Sequence, residues 1–158
     1  MTRLAPVVLD VVENFAPLAD SRQARITTAV DEQLAASVDR GALRRILLNL
    51  LDNAVKYGPA AQTVQVSLAL EGDRARLAVE DEGPGIDPRD ARQIWEPFNR
   101  LARSADATGG TGIGLSIVRQ LAELHGGHAS VERSPSGGAR FVIELPGAWR
   151  EAGAAAVA

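Results

Sequence analysis

The chain has 158 residues, the usual size of a single hydrophobic core, of which 46% are hydrophobic and 23% charged. That composition excludes a disordered chain, and no apolar run approaches the ~20 residues of a membrane-spanning helix. Lys plus Arg is 17 against Asp plus Glu at 20, cysteine is absent and histidines number 2, which argues against a nucleic-acid groove, a membrane-surface patch, disulfides, thiol chemistry and a structural zinc site.

The N-terminus lacks the basic, apolar and small-residue pattern of a signal peptide. Val8, Val11, Val12 and Phe15 recur at helical spacing behind Pro6, which predicts a first helix. Arg25 to Val30 reads as a short strand, and Ala36 to Val38 as another. Asp39 is the expected N-cap of a long helix reaching about Lys56, closed by Gly58 and Pro59. Val64, Val66, Leu68 and Leu70 alternate, as do Ala75, Leu77 and Val79. The polar stretch Glu71 to Arg74 joins them, so a β-hairpin is expected. Pro88 to Trp95 reads as a short helix, and residues 99–111 as a mobile loop with little apolar weight. Gly112 to His125 reads as a helix with Leu115, Val118, Leu121 and Ala122 on one face. Ala129 to Arg133 and Arg140 to Leu145 follow as strands around Ser134-Pro135-Ser136-Gly137-Gly138. Residues 1–146 are thus expected to form one domain and 147–158 a frayed tail. The mixture predicts an α+β two-layer sandwich: a mixed, mostly antiparallel sheet covered on one face by about three helices.

Three polar constellations stand out. On the long helix, Asn49, Asn53 and Lys56 fall at i, i+4 and i+7, beside the apolar stripe of Leu43, Ile46, Leu47, Leu50, Leu51 and Ala54. Two amides and an ammonium suit a hydrated cation and a phosphate, and an Asn oxygen is a hard ligand appropriate to Mg²⁺. Asp81 follows a strand and precedes Gly83-Pro84-Gly85-Ile86. A carboxylate fixed there can accept a hydrogen bond from an exocyclic amine, and the glycines let backbone approach a ligand closely. Gly109-Gly110-Thr111-Gly112-Ile113-Gly114-Leu115 precedes a helix, where backbone amides favour an anion. It is neither a Walker loop nor a Rossmann turn. Taken singly, the first two read better as a solvated helix face and an ordinary acidic turn, and the third is a weak signal.

Their order along the chain is what discriminates. From about Leu4 to Pro146 the sequence resembles the ATP-binding catalytic domain of two-component sensor histidine kinases, in the superfamily of DNA gyrase, mismatch-repair ATPases and heat-shock chaperones. Asn49 to Tyr57 resembles the N box and Asp81 to Gly85 the first glycine box. Ile94-Trp95-Glu96-Pro97-Phe98-Asn99-Arg100 resembles the phenylalanine box, and Gly110 to Gly114 the second glycine box. The resemblance implies that Asn53 ligates Mg²⁺ with Asn49 assisting, that Lys56 contacts phosphate, and that Tyr57 packs near adenine and ribose. It implies that Asp81 reads the adenine amine beside Gly83, Gly85 and Ile86. Gly110, Thr111, Gly112, Gly114 and Leu115 would hinge and line an ATP lid, and Arg100 would reach the γ-phosphate. Asn99 replaces a usual aromatic residue, Trp95 a usual Phe, and Ala139 a Thr that many relatives carry near the adenine-reading Asp.

Position 49 bears on the reaction. Gyrase-like ATPases and anti-sigma-type serine kinases carry a Glu there, which can act as general base, and Asn49 cannot. An acceptor imidazole brings its own lone pair, so phosphotransfer to histidine is favoured over hydrolysis or serine phosphorylation. A nucleotide-dependent docking module without transfer is the alternative from another class, and the intact Lys56, Asp81 and Arg100 weigh against it. His125 and His128 do not fit the family's phosphoacceptor and read as structural. The acceptor is therefore expected on a separate helical dimerisation domain of the same kinase, with a response regulator downstream. The expected ligands are ATP, ADP and Mg²⁺, without nucleic acid or direct membrane contact. The isolated domain is expected to be monomeric and cytoplasmic, in a parent protein that can be anchored in the inner membrane.

Overall fold

The computed structural model describes residues 1–97 and 113–152. Strand β1 (Thr2–Arg3) leads into helix α1 (Leu4–Ser21), whose buried residues Leu4, Val7, Val8, Val11, Phe15 and Ala19 recur at helical spacing and face the core. Strands β2 (Arg25–Val30) and β3 (Leu34–Ala36) follow, then helix α2 (Arg40–Tyr57). The Asp39 carboxylate caps α2 by accepting from the Ala42 N–H at 2.9 Å, satisfying one of the donors a helix start leaves open. Gly58 closes the helix, its N–H donating to Ala54 O at 3.0 Å. Strands β4 (Thr63–Glu71) and β5 (Arg74–Glu80) form the expected hairpin.

Residues 88–95 hold only a 3-10 turn at Gln93–Trp95 rather than the expected short helix. The backbone there closes mostly three-residue turns, with the Asp90 N–H donating to Asp87 O at 2.8 Å and the Gln93 N–H to Asp90 O at 3.0 Å, the bonding of tight turns and 3-10 helix. Helix α3 (Gly114–Leu124), strands β6 (His128–Arg133) and β7 (Ala139–Pro146), and strand β8 (Trp149–Arg150) follow among the described residues.

The main sheet has the order β2-β4-β5-β7-β6, with β2 and β4 parallel and the other pairs antiparallel. Its register aligns Val66 with Val79, Phe141 and Val131, and Leu68 with Leu77, Ile143 and Ala129. These rows face the three helices, and with Ile46, Leu47, Leu50 and Leu51 of α2 they form one core. Each fully buried Leu or Ile in it contributes about 2 kcal/mol of transfer free energy. The opposite face carries charged rows, in which Arg140 pairs with Glu80 at 2.7 Å and Arg76 with Glu132 at 2.6 Å.

A second, smaller sheet has the order β1-β3-β8. It corrects two expectations. The strand expected at 36–38 lies at 34–36, because the Val38 N–H turns back to Ala36 O at 3.1 Å before the helix cap. The tail expected to fray from 147 instead carries β8, with Ala35 opposite Trp149 and Arg150 held to Asp31 at 2.6 Å. That hydrogen bond holds the Asp31 carboxyl below its ordinary pKa range. The expected loop at 99–111 lies outside the described residues.

Candidate functional site

The core orients α2, and its polar edge follows from that. Asn53 is 9% exposed although it is polar. The Nδ2 atoms of Asn49 and Asn53 are both buried and have no hydrogen-bond partner among the described residues. An unsatisfied buried amide costs about 1–3 kcal/mol, so this pair is poised for a polar ligand. An amide turned by 180° offers its oxygen in the same place, which makes the donor set compatible with a hard cation. Among the described residues no cluster of three His, Asp or Glu side chains could hold a metal. Two neutral amides therefore suit a divalent ion that takes its remaining ligands from phosphate and water. Gly114, at the start of α3, faces Asn49: a Cβ there would sit 3.7 Å from Asn49 Oδ1, an ordinary contact. The N-cap residue of α3, Ile113, makes no side-chain cap hydrogen bond.

Lys56 extends the α2 edge but is drawn sideways, its Nζ 2.9 Å from Asp52 Oδ2 one turn earlier. Tyr57, the last residue of α2, is half-buried.

Asp81 is fully buried immediately after β5. Its own N–H donates to Ala139 O at 2.9 Å, which carries the β5–β7 ladder one step beyond Glu80. Its Oδ1 accepts from the Gly83 N–H at 2.9 Å and the Ala139 N–H at 3.1 Å. Two backbone amides thereby help fix the orientation of the carboxylate. The side chain at 139 is not needed for this, so the Ala found there leaves the carboxylate anchored through the main chain.

The loop after Asp81 rests on the β6–β7 turn. Gly85 has φ +76°, and a Cβ on it would meet Gly137 O at 2.6 Å. A Cβ on Gly138 would lie 2.1 Å from Asp81 O. Ile86 is partly buried against the core, as is Leu115 at the start of α3. Ile94 and Trp95 are buried, and the Trp95 ring meets Phe141 edge-on with centroids 5.8 Å apart.

The described part of the site thus has two walls. One is the α2 edge with Asn49, Asn53, Lys56 and Tyr57, flanked by Gly114 and Leu115. The other is the Asp81 loop with Gly83, Gly85 and Ile86. Arg100, Gly110, Thr111 and Gly112 lie outside the described residues. His125 is a bridge between elements: its Nδ1 lies 2.7 Å from Leu121 O, and its Nε2 accepts from the Asp39 N–H at 3.2 Å. With Nε2 accepting, the Nδ1–H is the donor to Leu121 O. His128 is exposed on β6.

The sequence reading missed two residues at the site. Gln62, buried at 3% exposure, joins α2 to the Asp81 loop. Gly138 leaves the space in which Asp81 sits. A lone Gln in a loop carries no periodic signal. The double glycine at 137–138 was visible, but only as a strand separator.

Comparison with known proteins agrees with this geometry. Residues 38–148 match the family described as histidine kinase-, DNA gyrase B- and HSP90-like ATPase. The chain is 47% identical over 123 residues to the sensor protein RstB of Escherichia coli (strain K12), covering 77% of this chain and 28% of that protein. It is 38% identical over 152 residues to the circadian input-output histidine kinase CikA of Synechococcus elongatus, covering 92% of this chain and 20% of that protein. The chain therefore spans well under half the length of these curated relatives. Among solved structures, the mycobacterial sensor histidine kinase MprB superposes with a TM-score of 0.83 at 31% identity, covering 92% of this chain and 97% of that one. The ATP-binding domain of PrrB from Mycobacterium tuberculosis gives 0.76 at 28% identity, covering 92% and 95%.

Proposed function

The chain belongs to the histidine kinase-, DNA gyrase B- and HSP90-like ATPase family and is an ATP-binding catalytic domain of the sensor histidine kinase type; from that premise we propose that it holds Mg-ATP and donates the γ-phosphate to a histidine on a separate phosphoacceptor domain. The observation that carries the reading is the buried Asp81, whose carboxylate is pinned through Oδ1 by two backbone amides at the edge of a glycine loop. A fixed acceptor of this kind reads an exocyclic amine such as that of adenine.

At the other wall, Asn53 would hold the metal ion with Asn49 beside it, a reading supported by two buried amide positions at Nδ2 that have no hydrogen-bond partner among the described residues. A bound Mg²⁺ would supply charge neutralisation on the phosphates. Lys56 would exchange its contact with Asp52 for phosphate oxygen, and Tyr57 would pack against the nucleoside. Gly110, Thr111, Gly112, Gly114 and Leu115 would close over the phosphates, and Arg100 would reach the γ-phosphate.

In the transfer, the bond from the γ-phosphorus to the bridging oxygen breaks and leaves ADP. A bond from phosphorus to an imidazole nitrogen of the acceptor forms, and the imidazole loses a proton to solvent. The imidazole lone pair is the nucleophile, so the chain needs no general base, and Asn49 offers none. The chain's contribution is position and charge. The partners of this reading are the phosphoacceptor domain of the same kinase and a response regulator downstream, with the chemistry in the cytoplasm.

Asp81→Asn tests the base-reading role. An Asn oxygen in the Oδ1 position keeps both amide bonds, so the fold is expected to survive. The other terminal atom becomes a donor where an acceptor is needed. Calorimetric affinity for a non-hydrolysable ATP analogue should fall about 10- to 100-fold. Wild-type affinity in a folded Asp81→Asn protein would remove the proposed role.

A further inference from the structure

We propose that Gln62 is a positioning residue of the nucleotide site, a staple that sets the spacing between the Asn53 turn of α2 and the Asp81 loop. The inference rests on the nucleotide-binding reading above and goes beyond it. The Gln62 Nε2–H donates to Ala54 O at 2.8 Å, on the residue next to Asn53. Its Oε1 accepts from the Glu82 N–H at 3.0 Å, on the residue next to Asp81. One side-chain amide therefore spans the two walls. It is 3% exposed, and both ends of its amide are engaged.

The surroundings hold this amide in place. The Gln62 carbonyl accepts from the Arg25 N–H at 2.9 Å, and the Ala61 N–H donates to Arg22 O at 3.2 Å, so its main chain is tied to the α1–β2 turn. The Glu82 carboxylate in turn accepts from the Thr63 N–H, making the link between the segments reciprocal. Gly58 provides the room. A Cβ there would meet Gln62 Nε2 at 2.1 Å and Oε1 at 2.3 Å. The Gly58 backbone is extended, with φ −86°, so alanine fits its conformation, and the three nearest atoms its Cβ would meet all belong to the Gln62 side chain.

Asp81 is consequently gripped from two sides. β7 holds its N–H and one carboxylate oxygen, and Gln62 holds the next N–H along the chain. Without Gln62 the β7 bonds remain, so the loop stays attached to the sheet but loses its fixed distance from α2. A ligand that must touch Asp81 and Asn53 at once would then bind a site of undefined width, and discrimination between bases would decline with affinity.

The experiment measures ATP and GTP affinities, with Mg²⁺, for wild type, Gln62→Ala, Gly58→Ala and the double variant, with amide hydrogen exchange at Glu82 as a nucleotide-independent readout. Gln62→Ala is expected to expose the Glu82 amide to exchange, weaken ATP about tenfold and reduce the ATP-over-GTP preference. Gly58→Ala should reproduce these losses when Gln62 is present and add little when it is absent, because the residue it collides with is gone. Gln62→Glu, which retains the acceptor and loses the donor, replaces Gln62→Ala if the latter does not fold. It should weaken ATP while Glu82 remains protected. A folded Gln62→Ala with wild-type ATP affinity and base preference overturns the inference and leaves the nucleotide-binding reading standing. A wild-type chain that binds no ATP overturns that reading and this inference with it.

Discussion

Gly138→Ala adds one methyl group at the point where β7 meets the Asp81 loop. The new Cβ would lie 2.1 Å from Asp81 O, 2.8 Å from Asp81 C and 2.9 Å from its Oδ1, whereas ordinary contact begins at 3.4 Å. Reaching that contact requires a displacement of about 1.3 Å between two backbone segments, and no flexible side chain can absorb it. The Asp81 N–H to Ala139 O bond at 2.9 Å and the Ala139 N–H to Asp81 Oδ1 bond at 3.1 Å would both be stretched past hydrogen-bond range. Two bonds at about 1 kcal/mol each, with about 1–3 kcal/mol of overpacking, give an expected loss of about 3–5 kcal/mol. Urea denaturation reads the stability, and calorimetry with the ATP analogue should show affinity falling about tenfold or more. Gly72→Ala is the control. Gly72 has φ +64° and nothing within 4 Å, so alanine there should cost about 1 kcal/mol of backbone strain and leave ATP binding alone. If Gly138→Ala behaved like Gly72→Ala in both assays, the argument that backbone contact seats Asp81 would fail.

Ala61 sits at φ +63° without the freedom of glycine. Ala61→Gly should raise stability by about 0.5–1 kcal/mol, the left-handed penalty less glycine's larger unfolded-state entropy, as measured by urea midpoint. Phe141→Ala empties a site that is fully buried and packed against the Trp95 ring, and should cost about 3–5 kcal/mol in the same measurement. Asp39→Ala removes the cap of α2 and should cost about 1 kcal/mol; a loss near zero would mean that the His125 contact with the Asp39 N–H suffices to hold the helix start. The hydrogen bond from Arg150 holds the folded Asp31 pKa below its ordinary value of 3.8. The stabilisation is therefore present above that value and lost as pH falls through the lower folded pKa. Stability curves from pH 5 downward should show Asp31→Asn lacking this component of the acid loss.

Much of the fold is legible in the sequence because its elements repeat an apolar period. The α2 stripe from Leu43 to Ala54 and the alternation from Val64 to Leu70 each carry several residues that say the same thing. The cap at Asp39 is legible for a different reason, since a short acceptor before an apolar stripe has one common use. Strands β1 and β8 have two residues each, too few for any period, and exist only because β3 lies between them. At the site, Asp81 and the asparagines were found because they belong to motifs in a recognisable order. Gln62 and Gly138 escape because their roles are defined by what approaches them across the fold: an amide reaching from the residue before β4 to α2, and an empty space filled by the Asp81 carbonyl just after β5. Spacing sets Lys56 three residues after Asn53 on α2, but its contact with Asp52 depends on side-chain reach that spacing alone does not specify.

The small sheet has a mechanical consequence. β1 and β8 lie on either side of β3, about 10 Å apart at ordinary strand spacing, and Arg3 and Glu151 meet directly at 3.0 Å. Tethers attached at the two ends would pull against two-residue ladders, which would peel apart before tension reached the five-stranded sheet that seats Asp81. The same proximity means that a short linker could join residue 151 to residue 3 and new ends be opened at the Gly72 turn, giving a permuted chain that keeps its ATP pocket while its anchoring points move to the far end of the hairpin.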